Sequence, residues 1–461
     1  MENGIAPQWL DERFNARSDF DEKNIHETLS DRFQSWRIKT IIDVIEHTSV
    51  SSPWYKARLN RGRVKTVTAQ LTELLNQKSR DSSNVNWAIS EILNALPSPS
   101  AADVAADSEA FLAVGHGDIE GVVSVPSSGT SGPAKRLCST ALDMEETVRF
   151  FEYGMRFMVG PGRDDRVALA MSQTRPGNVA DLLGRAMERL GVSFEAFGFM
   201  PEGTEEDEWV WNLAEWRPTC LVGVPPQMLS LARHRLGRTV AETVRTVLLS
   251  GDVASNLMVG QLRENFGAEI FRHYGLTETG LGGAVECGQH LWPHLRDDLL
   301  VEILDGTGRP VTAPDDFGEI AFTTLTREAM PLIRYRTGDE GRLLAAPCPC
   351  GSMLPRLETI GRMDDHLILN DGRKLRTPDF EKPLLPLTFV RGYNLHLSGD
   401  NLLIAIKPGP GLPPDGPGLI QKKVAEWLGP SAGLIISVSI ATPTANETST
   451  RITGKRRLLR S

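Results

Sequence analysis

The chain has 461 residues, 59 Asp and Glu against 50 Lys and Arg, a net charge of −9 and an ordinary 40% hydrophobic content. That length suffices for two or three domains with full cores, and the acidity excludes general attraction to nucleic acid or anionic lipid. No apolar run approaches the roughly eighteen residues of a membrane span, so no membrane partner is expected. The N-terminus lacks the basic and apolar regions of a secretion signal. Five cysteines, few and odd in number, point to a reducing compartment, so a cytoplasmic enzyme is expected.

Residues 1 to about 60 read as helical. Ile38, Ile41, Ile42 and Ile45 recur at helical spacing between Trp36 and Ser52-Pro53-Trp54-Tyr55, and both tryptophans read as packing residues. The Ser/Pro/Ala-rich stretch 97–107 reads as a loop. Val122 to Val125 reads as a strand, followed by Ser127-Ser128-Gly129-Thr130-Ser131-Gly132-Pro133-Ala134-Lys135. A helix over 143–158 is expected next, with Met144, Val148, Phe151, Met155 and Met158 on one face. Strand, small polar loop and helix form a context in which a loop can wrap phosphates with backbone N–H groups and hydroxyls. The loop lacks the G-x-x-x-x-G-K-[ST] pattern of P-loop NTPases. Taken alone, such a loop is more often a simple turn.

Strand and helix then alternate. Strands are expected at 167–171, 219–224, 246–249 and 269–271. Helices are expected after Asn178 as far as Gly191, from Pro225-Pro226 to Gly237, and up to Phe266. Repeats of this kind mean an α/β fold with mostly parallel sheets, and ligands at the strands' carboxyl ends. The polar loop, Ser250-Gly251-Asp252 and the turn after Phe271 would sit at such ends. From about 299 the pattern turns to short β runs (299–304, 318–323, 341–344), an antiparallel or barrel-like β-rich subdomain. Residues 365–461 form a last α+β unit, with strands near Leu367 and at 402–406 and a helix around 420–428.

Five stretches occur in a fixed order: Ser127 to Lys135, His273-Tyr274-Gly275-Leu276-Thr277-Glu278, Tyr335-Arg336-Thr337-Gly338-Asp339, Gly361-Arg362-Met363-Asp364-Asp365 and Gly454-Lys455. They resemble the phosphate loop, YG-x-TE, YRTGD, GR-x-DD and terminal GK motifs of the adenylate-forming superfamily of acyl- and aryl-CoA ligases, adenylation domains and luciferases. The short length, Cys348-Pro349-Cys350-Gly351 before Gly361, and the segment around Ser52 to Tyr55 are similar to the phenylacetate–CoA ligase branch. The resemblance implies a large N-terminal adenylating domain over 1–362. It also implies a small mobile C-terminal domain over 363–461, turning about a hinge near Asp364.

The implied reaction joins a carboxylate to the α-phosphate of ATP, releases pyrophosphate and passes the acyl group to a nucleophile. Attack of one anion on another needs charge neutralisation and alignment more than acid–base groups. By resemblance, Ser127, Ser128, Gly129, Thr130, Ser131, Gly132 and Lys135 hold the terminal phosphates, Glu278 holds Mg²⁺, and Thr277 touches the α-phosphate. Tyr274, with Gly275, lies near the adenine, Gly251 is a further nucleotide-binding residue, Asp339 accepts from the ribose hydroxyls, and Arg362 donates to ribose or phosphate. Lys455 neutralises charge at the α-phosphate. The loop departs from the common Gly-Lys-Pro-Lys ending: one lysine is lost and the proline is displaced. Its glycines and hydroxyls are intact, so ATP binding is expected to survive.

Branch members mostly activate aryl or arylacetic acids, so a small-molecule carboxylic acid is expected as substrate. Phe150, Phe151 and Tyr153 are expected mainly as core, while Val222 to Pro225 and Ser250-Gly251-Asp252 are the better pocket candidates by topology. Coenzyme A is the first acceptor; an amine, an amino acid or a carrier-protein thiol stays open, as does a homologue that binds nucleotide without turnover. A homodimer is compatible with the resemblance. A second constellation is metal-like. Cys287, Cys348 and Cys350, with His294 or His290, supply enough ligands for tetrahedral Zn²⁺, and similarity to the branch favours His294. Cys138 and Cys220 read as inert core thiols.

Overall fold

The computed structural model describes residues 29–77, 82–125, 134–160, 162–311, 315–440 and 458–460. The phosphate loop from Ser127 to Gly132, and Lys455, lie outside them. The chain divides into two compact units. The first draws on Met1–Tyr153, Pro176–Asn178 and Tyr274–Thr359; the second draws on Gly154–Arg175, Val179–His273 and Ile360–Ser461.

In the first unit the helix Leu29–Ser51 buries Ile38, Ile41 and Ile45, as the three-four spacing of its isoleucines requires. The same core takes Trp54, Tyr55 and Phe111 together with Leu300, Phe322, Leu332 and Tyr335 from the β-rich part. Trp54 stacks on Phe111 at 4.9 Å between centroids, and Trp36 packs against the cluster, so both tryptophans serve packing. Each large apolar side chain buried here contributes about 1.5–3 kcal/mol. The Tyr55 hydroxyl accepts from the Ile333 backbone N–H at 2.7 Å, fixing the chain just ahead of the strand Tyr335–Leu344.

That strand pairs antiparallel with Gly318–Thr324, which pairs antiparallel with Leu299–Leu304. The expected antiparallel subdomain is present, with its third strand beginning six residues earlier than the pattern suggested. Two expectations for this unit need correction. The stretch 97–107 is not wholly loop, because Ala101–Ala106 is a short helix: Ser100 and Asp103 close a capping box that its small side chains alone did not announce. The polar loop does not run from strand to helix either. It connects Gly121–Val125 to a second strand, Lys135–Ser139, in an antiparallel pair with Val125 opposite Lys135. Only Leu137 and Cys138 interrupt the polar run Lys135 to Thr140, so the second strand carries little alternation to read. The helix follows as Ala141–Met155, and Thr140 and Asp143 satisfy each other's backbone N–H groups at 3.1 Å.

In the second unit five parallel strands lie in the order Glu269–Tyr274, Thr246–Leu249, Cys220–Gly223, Arg166–Ala170, Ser193–Ala196. Helices Val179–Arg189, Glu206–Trp216, Pro225–Ala232 and Asn256–Phe266 connect them, the doubly wound pattern expected from the alternation. Ser193–Ala196, an edge strand with an exposed face, was not legible as a strand. Gly237 does not end the helix that begins at Pro225; that helix stops at Ala232, and Gly237 opens a further short one. The C-terminal part of this unit is a four-stranded sheet, Ile435–Ile440, Asn401–Pro408, Val390–Ser398, Leu458–Arg460, packed by the helix Gly416–Leu428. No helix among the described residues is long and apolar enough to cross a membrane.

Candidate active site

The site is built in the first unit where the turn from Tyr274 to Gly280 meets the strand Tyr335–Leu344. The turn is fixed locally. Thr279 Oγ1 donates to the Leu276 carbonyl at 2.8 Å and accepts from the Leu276 N–H at 3.1 Å. Gly280 closes it at φ +76°, where a Cβ would stand 2.9 Å from Arg327 Nη1 and 3.1 Å from Thr147 Oγ1. Only glycine fits that backbone at that distance. Thr277–Thr279 is a single 3₁₀ turn that carries Glu278 inward, leaving it 6% exposed.

The strand supplies the partners. Its residues alternate between buried and half-buried, so Tyr335, Thr337 and Asp339 share the inner face. Tyr335 donates to Glu278 Oε1 at 2.7 Å, and the Tyr274 hydroxyl donates to Asp339 Oδ2 at 3.0 Å. Two residues four apart on the strand thus meet two residues four apart on the turn. Lys135, from the strand after the polar loop, pairs with the same Oε1 that Tyr335 holds. Burial pushes the Glu278 carboxyl up, but the Lys135 charge and the hydrogen bonds from Lys135 and Tyr335 outweigh it, leaving the carboxyl below its ordinary range. Burial, reinforced by Asp339, holds the Tyr274 phenol well above its usual value, so it stays protonated and donates to Asp339. Asp339 is oriented from behind: its N–H donates to Thr337 Oγ1 at 3.0 Å, and that hydroxyl donates to the Ile320 carbonyl at 2.7 Å.

Of the expected site residues, Lys135 is therefore paired with Glu278 and Tyr274 with Asp339, with Gly275 and Thr277 in the turn that carries both Tyr274 and Glu278. Gly251, at φ +83°, and Arg362, with Nε 3.6 Å from the Asp364 carboxylate, belong to the second unit. Tyr335 received no role from the sequence; its signal is alternation, which puts it on the face of Asp339. Phe150 and Phe151 are buried, and Phe150 lies under the Arg296 guanidinium at 5.0 Å, in keeping with the core reading.

The four metal-type residues also come together. Cys287, His294, Cys348 and Cys350 place their ligand atoms within 4.8 Å of one another. Cys287 Sγ lies 3.7 Å from Cys348 Sγ, far beyond a disulfide, and His294 Nε2 lies 3.4 Å from Cys350 Sγ. Zinc–sulfur bonds of about 2.3 Å and zinc–nitrogen bonds of about 2.0 Å give tetrahedral edges of roughly 3.8 and 3.5 Å. His294 Nδ1 is 3.0 Å from the Leu354 carbonyl, which places the proton on Nδ1 and turns Nε2 toward the sulfurs. His290, at φ +51° with Nδ1 3.8 Å from Glu286, is not among the four residues whose ligand atoms converge. Burial pushes the Cys287 thiol up to about 12, a cost that a bound cation would reverse. Burial also raises Cys138 and drives Cys220 to about 12, as inert thiols require.

Residues 127–324 match the family model described as AMP-binding enzyme. Over that stretch, which is less than half of its length, the chain is similar to AMP-binding enzymes. It also resembles the phenylacetate-coenzyme A ligase of Thermus thermophilus, 33% identical over 178 residues, which are 36% of this chain and 39% of that protein. The Escherichia coli phenylacetate-coenzyme A ligase is 27% identical over 254 residues, 53% of this chain and 55% of that one. The chain thus spans about two fifths to little more than half the length of the curated relatives it matches. A 2-hydroxyisobutyryl-CoA ligase crystallised in the postadenylation state shares the fold at TM-score 0.73 and 17% identity, over 95% of this chain and 94% of that one. That likeness is one of fold.

Proposed function

We propose that the protein is an ATP- and Mg²⁺-dependent ligase that activates an aryl or arylacetic carboxylate as its acyl-adenylate, releases pyrophosphate and transfers the acyl group to coenzyme A. The observation that carries this reading is the pairing of the Tyr274–Glu278 turn with the Tyr335–Asp339 strand. It sets one carboxylate beside the cation-bearing end of the polar loop and a second, hydrogen-bonded carboxylate at the other end of the same face. Glu278, ionised and buried beside Lys135, suits an oxygen-seeking divalent ion, and Mg²⁺ bound there would neutralise charge on the nucleotide phosphates. Asp339, whose Oδ2 accepts from the Tyr274 phenol, is a carboxylate with the acceptor chemistry for a diol such as ribose. Thr277, on the same turn, would reach the α-phosphate. Ser127 to Gly132, Gly251, Arg362 and Lys455 keep the roles the resemblance implies, as do the division at 362/363 and the hinge at Asp364.

The cysteine cluster is proposed as a structural Zn²⁺ site of Cys287, His294, Cys348 and Cys350, tying the segment after the Glu278 turn to the segment before Gly361. Reduced thiols fit the proposed cytoplasmic setting. The test is pyrophosphate release with ATP and Mg²⁺ across aryl, arylacetic and aliphatic acids, with and without coenzyme A. Release restricted to one acid class and accelerated by coenzyme A supports the ligase. Release indifferent to coenzyme A moves the acceptor to an amine or a carrier thiol. Neither ATP binding nor release with any acid overturns the proposal.

A further inference from the structure

Two donors meet on Glu278 Oε1, and they differ in how firmly they are held. Tyr335 is 1% exposed, its ring lies 5.2 Å from that of Phe322, and its backbone sits in the ladder opposite Phe322. Its chain neighbour, Arg334, is clamped by Glu302 and by the Leu96 and Gly308 carbonyls. The hydroxyl therefore has one place to point. Lys135 reaches the same oxygen on a flexible four-carbon stem, from the first residue of the strand that follows the polar loop. Oε1 has two lone pairs, one taken by Tyr335 and one by Lys135, so a divalent cation that binds this oxygen must displace the ammonium.

Resting on the proposed Mg²⁺ role of Glu278, we propose that Tyr335 is the positioning residue that keeps this carboxylate aimed at the metal, and that Lys135 is a displaceable counter-ion which yields Oε1 to the metal. Tyr335 acts through Glu278 and touches neither nucleotide nor acid. Lys135, once displaced, is a cation freed at the edge of the loop, available to phosphate oxygens. One charge thereby neutralises Glu278 while the metal is away and the nucleotide when it arrives. A buried carboxylate is then never left without a counter-charge, which would cost several kcal/mol.

The test uses the full-length protein and two binding measurements, read by calorimetry: Mn²⁺ alone, and ATP over a range of Mg²⁺. Tyr335→Phe keeps the ring and its packing while removing the donor. It should raise the half-saturating Mg²⁺ for ATP binding about ten- to hundredfold, as expected for a lost hydrogen bond to a charged group. ATP binding without metal and the melting temperature should hold. Lys135→Gln removes the competitor, so Mn²⁺ binding alone should tighten, whereas ATP affinity at saturating Mg²⁺ should fall. Unchanged Mg²⁺ dependence in Tyr335→Phe would overturn the positioning role, and weaker or unchanged Mn²⁺ binding in Lys135→Gln would overturn the exchange. If the unsubstituted protein binds ATP with no dependence on divalent cation, the Mg²⁺ reading itself fails; that result is separate from either variant's.

Discussion

Two buried carboxylates of the first unit, Glu278 and Glu302, are each paired with a cation, and consecutive residues of one segment serve them. Arg334 holds Glu302, and Tyr335 holds Glu278. Yet the two acids are shifted in opposite directions. Burial pushes Glu302 up to about 7 against the pull of Arg334, whereas Lys135 and Tyr335 hold Glu278 below its ordinary range. Arg334 is itself fully enclosed, with 2% of its side chain exposed and its remaining donors on backbone carbonyls. Lys135 sits at the edge of a loop. Burial and an ion pair together thus do not mark a site. The distinguishing property is a partner that can leave.

The contrast can be broken in several ways. The largest expected effect is on catalysis. Glu278→Gln should cut pyrophosphate release at least about a hundredfold, the scale of losing a preorganised electrostatic group, with little change in melting temperature. Glu302→Gln should leave release per folded molecule unchanged; a comparable loss would erase the distinction. Arg334→Met should instead cost about 1–3 kcal/mol of stability, seen in denaturant unfolding, because it leaves the buried Glu302 carboxyl and the Leu96 and Gly308 carbonyls without their donor. Cys348→Ser should lose one zinc per chain and lower the melting temperature while leaving ATP binding in place. Retention of the metal in that variant would break the four-ligand set.

The smallest effect concerns pH. A carboxyl raised from an ordinary 4.5 to about 7 on folding binds more protons in the folded state between those values. From this group, stability is therefore greatest below about pH 4.5 and declines as pH rises to about 7. Glu302→Gln should remove that component of the slope, which pH-dependent unfolding would show. An identical slope in the variant would place the ionised pair, not the neutral acid, in the folded protein.

The sequence made the chemistry legible where residue type and order suffice. Tyr274, Glu278 and Asp339 carry side chains that only certain contacts satisfy, and Cys287, Cys348 and Cys350 narrowed the metal question to one histidine of two. The alternation of strand and helix from 167 to 271 was equally plain, since buried parallel strands such as Thr246–Leu249 are continuous apolar runs. What escaped was governed by pairing. Lys135–Ser139 is a strand because Gly121–Val125 lies beside it, not because of its own composition. The reach of Tyr335 to Glu278 depends on register across 57 residues, which no local pattern encodes. His294 was separated from His290 by backbone: one lies in a short strand paired to Arg356, the other in a turn at positive φ.

The central claim is most directly tested by acid-dependent exchange of labelled pyrophosphate into ATP by the purified protein with Mg²⁺. The account predicts exchange that requires an aryl or arylacetic acid, and thioester formation once coenzyme A is added. ATP bound in the presence of Mg²⁺, but no exchange with any carboxylic acid, would contradict it and leave a nucleotide-binding protein without adenylating activity.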